Sequence, residues 1–188
     1  MNLVIFGPPG AGKGTQSKFI VEKYKMYQLS TGEFLRNEMS NNTSIGKKIS
    51  SVINSGALVS NQIVSDLIEK VISNTDYQNR IIFDGYPRNL DQAKNLDILL
   101  KKYNQKIDIV LKLSVSLKTI KKRISDRRTL EKRPDDNEEI AIKRYETYEK
   151  STEPVIEYYK KLNLLKVVDG ERPIDQINKE ISEIIDLI

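Results

Sequence analysis

The 188-residue chain contains no cysteine and no histidine. Their absence excludes disulfides, thiol nucleophiles, Cys/His zinc sites and imidazole acid–base chemistry together. Long apolar runs are missing too. None approaches the roughly 20 residues that a membrane-crossing helix needs, so no membrane association is expected. The amino-terminal stretch MNLVIFGPPG has no basic leader, and its apolar run is too short for a secretion signal, which reads as a cytoplasmic protein. Internal repeats, low-complexity tracts and long linkers are also lacking.

What remains for chemistry is carboxylates, lysines, arginines, hydroxyls and backbone dipoles. Lys and Arg number 31 against 26 Asp and Glu, a formal net charge of +5. That excess fits an anionic partner and fits a solvated Lys-rich surface equally well. No helix-turn-helix, zinc or aromatic RNA-binding signature accompanies it, so nucleic acid is not expected as a partner.

Short continuous apolar runs recur at Leu3–Phe6, Ile81–Phe83 and Ile109–Leu111, and at Leu164–Leu165 with Val167–Val168, with a weaker candidate at Met26–Leu29. Such runs predict strands buried on both faces. Helical patterns lie between them, at residues 13–24, from Ser30 into Phe34 and Leu35, at Ile45, Ile49, Val52 and Ile53, and at 63–72, 96–103, 115–126, 137–151 and 173–187. Ser30-x-x-Glu33 predicts a capping box, Gly56 a helix C-cap, and Pro154 the first turn of a fresh helix. Strand–helix alternation predicts an α/β fold, with a central five-stranded parallel sheet between two helical layers. Two stretches interrupt the alternation and read as small insertions on one core of residues 1–29, 60–125 and 137–188. The first covers residues 30–59. The second, residues 126–136, is polar, highly charged and expected to be a loop.

The most informative segment is Gly7-Pro8-Pro9-Gly10-Ala11-Gly12-Lys13-Gly14-Thr15. It follows a predicted strand and opens a predicted helix, the context a phosphate-binding P-loop requires. Glycines let backbone N–H groups converge on phosphate oxygens, and the helix turns its positive end toward the same anion. Lys13 is placed to reach the β and γ phosphates. The usual pattern has a hydroxyl directly after the lysine to hold magnesium. Here Gly14 stands there and Thr15 follows, so phosphates and water are expected to supply most of the magnesium shell. Phosphoryl transfer suits a chain without imidazole or thiol, because positioning and charge stabilisation carry most of it. Asp84, at the end of the predicted strand Ile81–Phe83, fits a magnesium-water ligand and, read alone, a turn or cap residue.

Taken together, GPPGAGKGTQ at 7–16, LSTGEFLR at 29–36, GALVS at 56–60, FDGYPRNLDQ at 83–92, RPDDNEE at 133–139 and VDGERP at 168–173 resemble the adenylate kinases among the nucleoside monophosphate kinases. The resemblance spans nearly the whole chain, in family order. It implies a magnesium-dependent, zinc-free enzyme of the cytoplasm, monomeric, using ATP, AMP and ADP in nucleotide biosynthesis. It also implies an AMP-binding insertion at 30–59 and a short lid at 126–136.

Residue roles follow from the same resemblance. Gly10, Ala11, Gly12, Lys13, Gly14 and Thr15 would hold ATP, with Arg127 and Arg172. Thr31, Arg36, Ala57, Leu58, Val59, Gly85, Tyr86, Pro87, Arg88 and Gln92 would form the AMP site. Arg133 and Arg144 would clamp the transferring group, and Asp84 would hold magnesium through water. UMP/CMP kinases are the nearest alternative, but they usually carry Ala where Thr31 stands and Asn where Gln92 stands. Read without the resemblance, Gln92 also completes a capping box with Asn89, and the arginines near 127 also suit a solvated basic loop.

Overall fold

The computed structural model describes residues 1–55, 57–131 and 138–188. Five strands form one sheet: β1 (Leu3–Phe6), β2 (Tyr27–Ser30), β3 (Ile81–Asp84), β4 (Ile109–Ser114) and β5 (Leu165–Asp169). All pairings are parallel, in the order β2-β3-β1-β4-β5. The sheet is thus the one expected. Leaving β1, the chain builds β2 and β3 on one side and β4 and β5 on the other. The carboxyl end of β1 is therefore the point where the winding reverses, and ligands of open α/β sheets bind at such an edge.

The inner strands β1, β3 and β4 are apolar because both faces are covered, whereas the edge strands β2 and β5 are only partly buried, contrary to the burial expected of them. Val4, Phe6, Ile81, Phe83 and Val110 share one core with Leu96, Leu100, Val155, Ile156 and Tyr159. Those partners come from α5 (Leu90–Lys102) and α7 (Glu138–Lys161). Alternate residues Leu3, Ile5, Ile82, Ile109 and Leu111 share the opposite core with Ile20, Ile177, Ile181 and Ile185, from α1 (Lys13–Tyr24) and α8 (Ile174–Ile185). Each fully buried aliphatic side chain stabilises the fold by about 1.5–3 kcal/mol. The whole edge of β1 is thereby fixed between two rigid layers. Among the described residues, no helix is long and apolar enough to cross a membrane.

Between β2 and α4 (Asn61–Ile72) the chain forms α2 (Thr31–Ser40) and α3 (Ser44–Asn54), the two short helices anticipated for 30–59. Ser30 caps α2, its hydroxyl accepting from the Glu33 N–H at 3.4 Å. Thr43 caps α3 in the same way, accepting from the Gly46 N–H at 3.0 Å. The expected C-cap, Gly56, lies outside the described residues; α3 ends at Asn54, with Ser55 as its C-cap.

Two expectations are corrected. Residues 126–131 are not loop: α6 runs Leu117–Glu131, carried past Asp126 by straight-chain helix formers. Pro154 does not open a new helix but lies inside α7, which is continuous from Glu138 to Lys161. Pro154 removes the i+4 donor to the Lys150 carbonyl, and both residues are exposed, on the outer side of the helix. The buried Val155, Ile156 and Tyr159 hold the following turns against the sheet.

The α2–α3 crossing depends on Gly46, where an added Cβ would stand 2.0 Å from the Glu38 carbonyl oxygen. Gly46→Ala is expected to destabilise by about 1–3 kcal/mol, the range for overpacking. Calorimetry should then show a fall of about 2–4 °C in melting temperature per kcal/mol.

Candidate active site

A cleft of about 1190 Å³ opens along the carboxyl edge of the sheet. Its floor is the loop between β1 and α1. Gly10 (φ +84°) and Gly12 (φ +96°) take the left-handed conformation that side chains disfavour. A Cβ on Gly10 would also press on Ile124 Cγ1 at 3.1 Å and the Ile120 carbonyl at 3.3 Å, both in α6. Gly12 is the N-cap of α1 and provides no side-chain cap. The first-turn N–H groups of α1 thus remain for an anion, reinforced by the helix dipole.

Lys13 arches back over this loop, its Nζ donating to the carbonyls of Gly7 at 2.7 Å and Pro8 at 3.1 Å. Desolvation lowers its pKa to about 8. Asp84 opposes that shift, while Arg88, Arg127 and Arg144 deepen it. Arg88 is likewise depressed, by burial first and then by Arg144, with Asp84 opposing and Arg36 contributing. Side chains from α1, α2, α6, α7 and the turn after β3 therefore share one electrostatic site. Like charges held this close favour any state that brings in a polyanion.

Asp84 ends β3 in register with Ile5 of β1 and Ser30 of β2. It is 8% exposed, and its Oδ2 accepts from Gln28 Nε2 at 3.0 Å. The turn after it is tightly held. The Gly85 carbonyl accepts from Thr31 Oγ1 at 3.0 Å and from Arg88 Nε at 2.7 Å. Gly85 itself lies at φ +79°, where a Cβ would meet Thr31 Oγ1 at 2.9 Å. The Arg88 carbonyl accepts from Thr152 Oγ1 of α7 at 3.2 Å. Gln92 heads α5: its N–H donates to Asn89 Oδ1 at 2.9 Å, and its Oε1 accepts from the Arg88 N–H at 2.8 Å. The expected box is thus half-formed, since Gln92 reaches Arg88 rather than Asn89.

Most of the residues singled out from sequence line this cleft: Gly10, Gly12, Lys13, Gly14, Thr15, Thr31, Arg36, Ala57, Leu58, Val59, Asp84, Gly85, Pro87, Arg88, Gln92, Arg127 and Arg144. Ala11 and Tyr86 are buried beside it, at 2% and 1% exposure. Tyr86 braces the turn, its hydroxyl donating to the Gln92 carbonyl at 3.1 Å. Arg172 lies away from the lining and pairs with Glu180 and Asp169. Arg133 lies outside the described residues.

Three contributors escape a sequence reading. Arg123 donates to the carbonyls of Ala11 at 3.3 Å and Gly170 at 2.8 Å, tying α6 to the loop and to the end of β5. Its place one turn before Arg127 on α6 is the signal that points to it. Gln28 and Asn61 reach the site through tertiary contacts, and no local pattern marks them.

A P-loop opening onto an arginine-lined cleft at the switch point of a parallel sheet defines a P-loop phosphotransferase. A sequence profile of the family described as adenylate kinase matches residues 5–164. An adenylate kinase of Pelagibacter ubique is 44% identical to this chain, the alignment covering 98% of the chain and 99% of that protein. One from Caulobacter sp. (strain K31) is 39% identical over the whole of both chains. One from Archaeoglobus fulgidus is 38% identical over 100% of this chain and 99% of its own. The chain belongs to the adenylate kinase family.

Because Arg88 and Arg144 push the Lys13 ammonium down and Asp84 lifts it, single substitutions should separate these influences. By NMR titration, Lys13 is expected to lose its proton near pH 8. Arg144→Ala should move that midpoint upward and Asp84→Asn should move it downward.

Proposed function

We propose that the protein catalyses reversible phosphoryl transfer between ATP and AMP, giving two ADP, as a magnesium-dependent kinase of adenine nucleotide homeostasis. The observation that carries this reading is the electrostatic coupling of Lys13 with Asp84, Arg88, Arg127 and Arg144 at the mouth of the P-loop. ATP phosphates occupy Gly10–Thr15 and the α1 N-terminus, with Arg127 over them. Arg36 and Arg88 hold the AMP phosphate on the β2–β3 side. Arg144 bridges the two, assisted by Arg133, whose role rests on the resemblance alone. Thr31, Ala57, Leu58, Val59 and Gln92 form the AMP base and ribose site, and Arg172 is assigned no ATP contact.

Adenine as the monophosphate base is supported by Thr31 and Gln92 and by the names of the related proteins. That combination disfavours a UMP/CMP kinase. The α2–α3 insertion and the end of α6 are read as the parts that close over the nucleotides.

The residues present fit magnesium. Among the described residues Asp84 is the buried carboxylate of the cleft, which suits an ion that keeps waters and phosphate oxygens as most of its ligands. Asp84, fixed by Gln28, would hold it through water, and Thr15 lines the same cleft. When bound, magnesium neutralises charge on the β and γ phosphates. The chain's own part is to position and stabilise. Planar guanidinium forks grip phosphate oxygens in pairs and hold the acceptor oxygen in line with the γ phosphorus. Lys13 follows the charge that develops on the moving group. The AMP phosphate is already anionic at neutral pH, so no general base is required of a histidine-free chain.

In a coupled assay, ADP should form from ATP only when AMP is added, with UMP and CMP poor acceptors and a magnesium chelator abolishing turnover. ATP consumption at an equal rate without any monophosphate would refute the reading. Lys13→Met and Arg88→Ala are each expected to lower kcat/KM by about 100- to 10,000-fold, roughly 3–5 kcal/mol of transition-state stabilisation. Their melting temperatures should stay near that of the wild type. Because burial lowers Lys13, its cation is present below about pH 8 and lost above it. A pH–rate profile should therefore show kcat/KM for ATP declining on the alkaline side, since that quantity reports the free enzyme.

A further inference from the structure

Three side-chain amides meet at the start of α5 and α4, and their directions are not independent. A backbone N–H donates and never accepts. The Gln92 N–H therefore turns Asn89 so that Oδ1 faces it, at 2.9 Å. Asn89 Nδ2 then faces Asn61 and donates to its Oδ1 at 3.2 Å. The same Oδ1 accepts from Gln92 Nε2 at 2.8 Å. At the far end the Arg88 N–H donates to Gln92 Oε1 at 2.8 Å. Two backbone donors thus dictate the polarity of the whole circuit. Reversing any one amide sets donor against donor or acceptor against acceptor.

The orientation of Gln92 matters because its side chain, 4% exposed, borders the cleft. Locked at both ends, its amide retains one N–H on Nε2 and one lone pair on Oε1. A 6-aminopurine is complementary to that pair: its amino group donates to Oε1 and the adjacent ring nitrogen accepts from Nε2. A 6-oxopurine presents a carbonyl acceptor and a ring N–H donor instead. Serving it would require Gln92 to turn over and break its bonds to both Arg88 and Asn61. A site built on fixed polar partners rejects the mismatched analogue strongly.

We infer that Asn61 is a positioning residue, fixing the Gln92 amide and with it a preference of the monophosphate site for 6-aminopurines over 6-oxopurines. The inference rests on the proposed placement of the AMP base beside Gln92. Asn61 is itself exposed, so its contribution is direction rather than burial, and a substitution there spares the core.

The test compares kcat/KM for AMP and for IMP in the wild type, Asn61→Leu, Asn61→Asp and Gln92→Leu, with the KM for ATP and the melting temperature followed in parallel. Asn61→Leu is expected to lower the AMP-to-IMP ratio by about 3- to 10-fold, the effect of one net hydrogen bond, with the KM for ATP within about twofold. Asn61→Asp keeps an oxygen that accepts both bonds and should retain the wild-type ratio. An unchanged ratio in Asn61→Leu beside a lowered one in Gln92→Leu would overturn the inference alone. An unchanged ratio in Gln92→Leu would overturn the placement of Gln92 at the base, and the inference with it.

Discussion

The molecule is organised around a repulsion. Lys13, Arg88, Arg127 and Arg144 are held within electrostatic reach of one another, relieved within the coupled set by Asp84. Left to themselves, such side chains would spread into solvent. Each is anchored on a different element; α1 and α7 are locked by two apolar cores on opposite faces of the sheet, and α6 by a smaller cluster of Ile120, Ile124 and Ala141. Hydrophobic burial remote from the cleft thus opposes the electrostatic cost of gathering the cations. That cost becomes an attraction once the phosphates of two nucleotides are present, which is the sense in which the site is prepared in advance.

Topology explains why one loop can serve two nucleotides. With β1 in the centre, the residues on β2, β3 and α2 approach the loop from one side, and those on α6 and the end of β5 from the other. Gly85 is shared by Thr31 and Arg88, and Gly170 is tied through Arg123 to Ala11. The two flanks are therefore braced separately against the same floor.

Much of this was legible in the sequence, for identifiable reasons. A strand buried on both faces has to be an apolar run, and a backbone that bends around phosphate has to contain glycine. Leu3–Phe6, Ile81–Phe83 and the Gly7–Thr15 loop therefore read directly. Arg36, Arg88, Arg127 and Arg144 were reached through the family resemblance, and all four line the cleft. Pro154 misled because a sequence does not reveal that its face of α7 is open to water. The end of α6 was set too early because charge was taken for loop, although Lys, Arg and Glu are good helix formers. Arg172 is drawn off by Glu180, a partner met only once α8 packs beside β5. Gln28 acts across the chain through one hydrogen bond and Asn61 through two, which leave no periodicity to read.

The long helix α7 spans both worlds. Arg144, Tyr148 and Thr152 face the cleft, while Val155, Ile156 and Tyr159 are sunk in the core three turns further on. Its buried half acts as the root of a lever whose other end, packed against α6 through Ala141, carries a guanidinium. A small cavity cut at Val155 would tilt that end by leverage while leaving most of the fold's apolar contact in place. Damage of this kind lowers the melting point and slows turnover together, so a defect in packing presents itself as a defect in chemistry as well.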